Sequence, residues 1–263
     1  MLNADDLLAS GDIQGARTEL IKQVRTEPGS VPVRMFLFQL FSLTGEWKRA
    51  KAQLETLAKL DPEMQMLSVA YSKCIEAELT RESVFEGRVD MPFLSKAEWG
   101  PQLAESLKAV FTKTDGAEQK LLEFQNNLPD CKGIANGELN FDWLSNADPR
   151  IGPATEAIIS GRYGLIPFSD LEVLEIHRPM DLRDTIWAQA EFGLRNGAKI
   201  SGFIPVRYPG SQVSEDGAIV LGKTTVWAED NGLETALGHN ILAMSDGTDH
   251  SLLNLEKIAF KAS

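Results

Sequence analysis

The chain has 263 residues, of which 43% are hydrophobic, so it can form one large domain or two ordinary domains, each with a normal core. Its formal charge of -12 argues against nucleic acid as a partner, because binding to phosphates needs a basic surface. Two cysteines favour a reducing compartment, and we find neither a secretory signal nor an apolar run long enough to span a membrane. We therefore expect a cytoplasmic protein that binds neither nucleic acid nor membrane.

A repeat with a period of 34 residues organises the first part of the chain. Glycine recurs where two helices would turn, alanine where they would touch, and proline where the second helix would stop. This period and this punctuation are typical of a tetratricopeptide repeat. The matching pairs are Gly11 with Gly45, Ala16 with Ala50, Leu20 with Leu54, and Pro28 with Pro62.

The repeat predicts two regular helical pairs followed by atypical capping helices, because the end of a solenoid must be shielded from water. We expect residues 1–130 to form this helical repeat domain. The predicted helices cover approximately residues 3–10, 13–26, 31–43, 47–60, 61–79, 97–111 and 117–128.

After the helices, residues 131–145 are rich in glycine and asparagine and are predicted to be a connector. Beyond it the pattern changes to short strands with tight turns, of which Asn196-Gly197 is the strongest hairpin signal. The predicted strands cover residues 154–159, 162–166, 171–176, 187–194, 199–205, 224–228, 240–244 and 255–260.

Strands joined by short hairpins favour an antiparallel sheet over a doubly wound one. The predicted fold class is therefore α+β: tetratricopeptide-like helical repeats followed by a small, mainly antiparallel β domain. We expect that second domain to occupy residues 146–263 and to be a curled sheet or a barrel-like structure.

Motifs for standard chemistry are missing from the sequence. The three histidines and two cysteines do not have the spacing of a metal site, and there is no phosphate-binding loop or hydrolase nucleophile motif. We therefore expect no metal, no cofactor and no catalytic residue.

Five charged residues near the start of the β region leave three roles open: Asp148, Arg150, Asp181, Arg183 and Asp184. Arginine forks bonded to carboxylates would order irregular loops. The same groups could form a binding surface. If burial raised the pKa of one carboxyl group, they could also act as an enzyme or sensor site for a small molecule.

A succession of short motifs resembles the ImpE/SciE family, also called TagJ, whose members are accessory proteins of bacterial type VI secretion. No single motif is specific, but their order and spacing match over residues 146–211, and the preceding helical repeat fits the same family. The motifs are Asp148-Pro149-Arg150-Ile151-Gly152-Pro153, Gly161-Arg162-Tyr163, Pro167-Phe168, Asp181-Leu182-Arg183-Asp184 with Trp187, and Arg207-Tyr208-Pro209-Gly210-Ser211.

The resemblance implies a non-enzymatic, cytoplasmic adaptor protein. Its implied partners are the small subunit of the contractile sheath and the AAA+ ATPase that disassembles the contracted sheath. Only a structural or interaction role carries over to the matching positions. Those candidates are Asp148, Arg150, Arg162, Tyr163, Asp181, Arg183, Asp184, Trp187, Arg207 and Tyr208.

Overall fold

The computed structural model describes residues 3–230 and 232–261, and in this part of the chain seven helices precede all of the strands. Helices α2, α3 and α4 coincide with their predicted ranges. The outer limits of the predicted domains, Met1 and Ser263, lie outside the described residues. The helices are α1 (Ala4–Ala9), α2 (Ile13–Thr26), α3 (Val31–Leu43), α4 (Trp47–Leu60), α5 (Met64–Phe85), α6 (Gly100–Phe111), α7 (Ala117–Asn126) and, among the strands, α8 (Gly217–Val220).

The repeat residues have the roles that their spacing predicts. Gly11 and Gly45 lie in the turns between paired helices with φ of +86° and +68°, a left-handed conformation that favours glycine. Ala16 and Ala50 are fully buried where neighbouring helices touch. The Asp12 side chain accepts a hydrogen bond from the backbone N–H of Gly15 at 2.8 Å and so caps α2.

Helix α5 differs from its predicted range of 61–79, because it begins at Met64 and continues to Phe85. Its last two turns carry Glu78, Arg81 and Val84, all buried. Glu78 and Arg81 form hydrogen bonds with residues of the strands, and Val84 belongs to the hydrophobic core that the helices share with the sheet. Tertiary packing therefore extends the helix past the point where the repeat pattern fades.

The β region contains thirteen strands among the described residues. The hairpins around Ser160-Gly161 and Asn196-Gly197 are confirmed, whereas β1, β2, β3, β10 and β12 have no counterpart among the predicted strands. The strands are β1 (Gly133–Ala135), β2 (Leu139–Phe141), β3 (Leu144–Asn146), β4 (Ala154–Ile159), β5 (Arg162–Pro167), β6 (Leu171–Ile176), β7 (Trp187–Leu194), β8 (Lys199–Pro205), β9 (Thr225–Asp230), β10 (Leu233–Gly238), β11 (Ile241–Met244), β12 (Asp249–Ser251) and β13 (Lys257–Phe260).

Eight strands form one antiparallel sheet in the order β2-β1-β13-β6-β7-β8-β4-β5. The sheet has two ends, β2 and β5, so it is open and not closed into a barrel. A three-stranded sheet (β12-β11-β3) and a two-stranded sheet (β10-β9) accompany it. The α+β class with tetratricopeptide-like helices and an antiparallel sheet is confirmed.

The segment 131–145, predicted to be a connector, is part of the sheets. It contains β1 and β2 and the first two residues of β3, and β1 pairs with β13 near the far end of the chain. Strands of three residues are too short to produce an alternating pattern in the sequence, which is why this segment resembles a loop.

The large sheet has a hydrophobic core on each face. Ile158, Tyr163 and Trp187 belong to the core shared with the helices. Neighbouring strand residues such as Ala157 and Ile166 belong to the second core, on the opposite face. Strands β4 and β5 are therefore buried on both faces of the sheet. Helix α5 packs on the face that contributes to the core shared with the helices.

Candidate functional site

A buried polar cluster joins α5 to the large sheet. We define this interface cluster as Glu78, Arg81, Glu156, Tyr163 and Trp187. All five residues are at most 5% exposed to solvent. Two come from α5 and three from strands β4, β5 and β7, so the cluster connects the helical layer to three strands.

The centre of the interface cluster is the ion pair between Arg81 and Glu156. The guanidinium donates from Nε to Glu156 Oε1 at 2.6 Å and from Nη2 to Glu156 Oε2 at 2.8 Å, a bidentate arrangement. Nη1 lies 3.4 Å from Glu78 Oε2. Burial works against the charged guanidinium, but the two carboxylates outweigh it and raise the pKa of Arg81.

Two residues predicted from the motifs complete the interface cluster. The Tyr163 hydroxyl donates to Glu156 Oε1 at 2.7 Å, and the Trp187 indole N–H donates to Glu78 Oε1 at 2.8 Å. Burial, together with the nearby Glu156 carboxylate, raises the pKa of Tyr163 well above its ordinary value, so the hydroxyl stays protonated and serves as a donor. Both carboxylates are thus supplied with donors without water.

Arg207 extends this contact to two helix ends. Its Nη1 donates to the carbonyl oxygens of Leu43, at 2.9 Å, and of Val220, which lie at the C-terminal ends of α3 and α8. A cation is favourable there because the last carbonyls of a helix carry partial negative charge. Its own carbonyl accepts from Arg81 Nη2 at 2.7 Å. Burial lowers the pKa of Arg207 to about 10.

Tyr208, the next residue, is fully buried beside the smaller sheets. Its hydroxyl accepts from the Ile241 N–H at 3.0 Å and lies 3.2 Å from Asn146 Oδ1. Asn146 in turn donates to Asn240 Oδ1 at 2.7 Å. Tyr208 therefore fixes β3 against the start of β11.

Asp148, which is buried, and Arg150, which is partly buried, form a second ion pair at the edge of β10. The guanidinium donates from Nη2 to Asp148 Oδ2 at 2.6 Å and from Nε to Oδ1 at 2.9 Å. Asp148 Oδ2 also accepts the N–H of Ala236 at 3.0 Å, and Arg150 Nη2 donates to the Ala236 carbonyl at 3.3 Å. The pair thus satisfies the groups that a neighbouring strand would otherwise bond.

Asp181, Arg183 and Asp184 form a third charged group, in which Asp181 caps a short 3-10 helix at residues 182–185 that contains the other two. Arg183 Nη2 lies 2.8 Å from Asp181 Oδ2, and its Nη1 donates to the sulfur of Met35 in α3 at 3.7 Å. Arg183 Nε and Asp184 Oδ1 are both buried without a hydrogen-bond partner. These two atoms lie 4.0 Å apart. Partial burial raises the pKa of Asp181, although Arg183 opposes the shift.

The structure does not bring these five charged residues together. Arg150 stacks on the Phe85 ring at 5.4 Å and Arg183 on the Tyr71 ring at 5.2 Å. Both rings belong to α5, and fourteen residues separate them, about 21 Å along the helix axis. Arg162 lies apart from both groups, exposed at the start of β5. A single pocket built from the two Asp and Arg motifs is therefore not formed.

Sequence reasoning missed Glu78, Arg81 and Glu156, the three charged residues of the interface cluster. One signal was available, because Glu156 interrupts the otherwise largely apolar strand β4 and a charge in such a strand needs a partner. Among the described residues, no His, Cys, Asp and Glu side chains are grouped to hold a metal ion. None of the described helices has the length and apolar character of a membrane span.

Comparison with known proteins gives two matches to family models. Residues 138–259 match the model described as ImpE protein, and residues 7–69 match a tetratricopeptide repeat model. The second match covers α1 to α4 apart from the first residues of α1, and the beginning of α5.

Two relatives match nearly the whole chain. The type VI secretion system accessory component TagJ of Pseudomonas aeruginosa is 35% identical over 98% of this chain and 91% of its own length. A Vibrio parahaemolyticus protein of known crystal structure superposes with a TM-score of 0.87 at 22% identity, over 99% of this chain and 98% of that protein, which shows the same fold. From the first relative and the matching family model, the chain belongs to the ImpE family.

Proposed function

We propose that the protein is a non-enzymatic, cytoplasmic adaptor of a type VI secretion system. The observation that carries the proposal is the 35% identity to the TagJ accessory component, which extends over 98% of this chain. The helical repeat is included in that match, and repeats of this type commonly present a surface to other proteins.

The proposed partners are the small subunit of the contractile sheath and the AAA+ ATPase that disassembles the sheath. The repeat helices offer an apolar surface for such a contact at the start of α5. Met66 and Val69 are 86% and 58% exposed there, and they border a groove of about 540 Å³ whose floor includes Ile158 and Phe203. Exposed apolar side chains beside a groove favour binding of a protein segment.

A non-enzymatic role fits the chemistry of the buried charges. Glu156 is bound by Arg81 and Tyr163, and Asp148 is bound by Arg150 and a backbone N–H. These carboxylates are committed to bonds within the fold. The bonds of Glu156 to Arg81 and Tyr163, and of Asp148 to the N–H of Ala236, join separate elements of the chain. Their arrangement supports a stable shape for docking.

A binding experiment with the full-length chain tests the proposal. Separate halves are unsuitable because the helices and the sheet share one hydrophobic core. The purified sheath small subunit and the ATPase are each titrated with the wild-type protein and with a variant carrying Met66→Asp and Val69→Asp. The matched control is Met180→Asp, which changes an equally apolar side chain, 90% exposed, outside the repeats.

We expect wild type and Met180→Asp to bind one or both partners, and the double variant to bind at least about tenfold more weakly, since charges in an apolar contact must be desolvated. If the double variant binds as wild type does, the start of α5 is not the contact. If neither partner binds the wild-type protein, the adaptor proposal is wrong.

A further inference from the structure

The two strands of the smallest sheet have edges of opposite character. β9 and β10 pair in a regular antiparallel register, with Trp227 opposite Ala236 and Thr225 opposite Gly238. On the outer edge of β10, Ala236 is bonded by Asp148 and Arg150. Gly238 is bonded there as well, through its N–H to Ser211 Oγ at 2.8 Å and through its carbonyl to Tyr208 N at 2.8 Å.

The same contacts show which groups of β9 point outward. In an antiparallel ladder, opposite residues either exchange both hydrogen bonds or both point away from each other. Because the N–H and C=O groups of Ala236 and Gly238 point away from β9, those of Trp227 and Thr225 point away from β10. By alternation Glu229 does the same. Along β9 the outer backbone donors and acceptors belong to Thr225, Trp227 and Glu229.

The two ends of the large sheet are protected. At the end of the large sheet, β5 is covered because Leu165 exchanges hydrogen bonds with Pro92 and Leu94 at 2.8 and 2.9 Å. The opposite end, β2, has only three residues. β9 has six residues, and neither a proline, a lysine nor a register shift blocks its edge. Its two charged residues, Glu229 and Asp230, lie together at its C-terminal end.

The side chains along β9 indicate the chemistry of a strand that would pair there. Val226 and Trp227 are 39% and 38% exposed, so the edge offers apolar contacts beside its backbone groups. Glu229 lies directly opposite Glu234, and both are exposed. Like charges facing each other across a ladder are unfavourable, and a cation placed beside them relieves the repulsion.

A second copy of the chain fits this edge poorly. It would bring the same glutamates and another net charge of -12 to the contact. We propose that the outer edge of β9 binds an extended, basic segment of another protein, which adds a third strand to the sheet and places a lysine or arginine next to Glu229 and Glu234. This mode of binding takes its affinity from backbone bonds and its specificity from alternate side chains.

The test uses the full-length protein and a synthetic peptide, acetyl-Val-Lys-Val-Thr-Val-Lys-amide, so it does not depend on the secretion partners. Amide hydrogen exchange is followed residue by residue with and without peptide. The matched peptide controls carry N-methyl groups at alternate backbone nitrogens, which removes donors, or glutamate in place of lysine. Glu229→Lys tests the charge, and Glu138→Lys, an exposed turn residue elsewhere, is its control.

We expect the amides of Thr225, Trp227 and Glu229 to exchange at least about tenfold more slowly with the lysine peptide. The neighbouring amides of Val226 and Ala228, which face β10, should change little. The N-methylated and glutamate peptides should give no slowing, Glu229→Lys should weaken the effect, and Glu138→Lys should preserve it.

Three results would overturn the proposal. The first is exchange at these three amides that millimolar lysine peptide leaves unchanged. The second is equal slowing by the N-methylated peptide, which would show that strand pairing is not involved. The third is slowing without peptide that grows with protein concentration, which would assign the edge to a second copy of the chain.

Discussion

Two contacts between the helices and the β region use arginine and carboxylates in different ways. In the interface cluster, Arg81 is 5% exposed and holds Glu156 through two short hydrogen bonds. In the 3-10 helix near α3, the side chain of Arg183 is 19% exposed, and its Nε lies 4.0 Å from Asp184 without a hydrogen bond. The first contact is closed and fully paired, and the second is partly open.

The difference teaches that arginine and aspartate motifs in a sequence do not reveal how much each pair stabilises the fold. A buried guanidinium that loses its partner leaves an uncompensated charge, whereas a partly exposed one regains water. The order of the expected effects therefore follows burial and pairing, and four substitutions rank the contacts.

The largest effect is expected for Arg81→Met. Removing the guanidinium leaves Glu156 and Glu78 buried without their cation, so we expect a loss of about 3–5 kcal/mol in the free energy of unfolding. Urea denaturation followed by circular dichroism measures it. Adding Glu156→Leu to this variant should restore part of the loss, and a double variant that is no more stable than Arg81→Met would contradict this account.

Asp148→Asn should have the next largest effect. The amide keeps the shape of the side chain but cannot accept all the bonds that Arg150 and Ala236 donate, so we expect a loss of about 2–3 kcal/mol. The exchange rate of the Ala236 amide should rise more than that of the Trp187 indole, because only the former is bonded by Asp148. Equal rises would indicate a global loss of stability without a local role.

Arg183→Ala should cost about 1 kcal/mol, because its close partner Asp181 is partly exposed and Asp184 lies 4.0 Å from Nε without a hydrogen bond. The same urea experiment compares it with Arg81→Met. A loss as large as that of Arg81→Met would show that the partly open contact stabilises the fold as much as the closed one.

The smallest effect concerns pH and His239, which lies at the bridge between Arg207 and the end of β10. Burial lowers the pKa of His239 from its ordinary value of 6.5, and its ring lies 2.5 Å from the Ser251 hydroxyl. The neutral ring therefore contributes stability that is complete above pH 6.5 and is lost as the pH falls through the folded-state pKa.

Between about pH 7.5 and about pH 5.5 the free energy of unfolding of the wild-type protein should fall. We expect His239→Gln to reduce this fall by less than about 1 kcal/mol. Urea midpoints of wild type and variant at both pH values measure the change. His250, which lies in the neighbouring strand β12, provides the matched control as His250→Gln. A flattening of the same size in that control would contradict the assignment to His239.

The sequence predicted the helical repeat and the hairpins well because their signals are local. Gly11 and Gly45 mark turns that require a left-handed backbone, and Asn196-Gly197 marks a two-residue hairpin. Helices α2, α3 and α4 and strands β7 and β8, next to these residues, have the predicted boundaries, and α1 is one residue shorter than predicted at each end. Patterns of this kind act within a few residues of the chain.

The interface cluster was beyond such patterns because its bonds join distant residues. Arg81 and Glu156 are 75 positions apart, and Arg207 and Leu43 are 164 apart. Nothing near Arg81 in the sequence indicates that it is buried. The motifs did point to Tyr163, Trp187, Arg207 and Tyr208, all buried, but not to the groups that they bind. Their roles beyond this packing remain predictions.

Arg207 has a mechanical consequence. Its guanidinium holds the ends of α3 and α8 while its carbonyl is held by Arg81, so one residue connects three helices to the β region. A hinge motion between the helices and the sheet would break the buried hydrogen bonds of this cation, and the carbonyl groups would have no replacement donor. The helices and the sheet are therefore expected to move as one rigid body when a force acts on the helices.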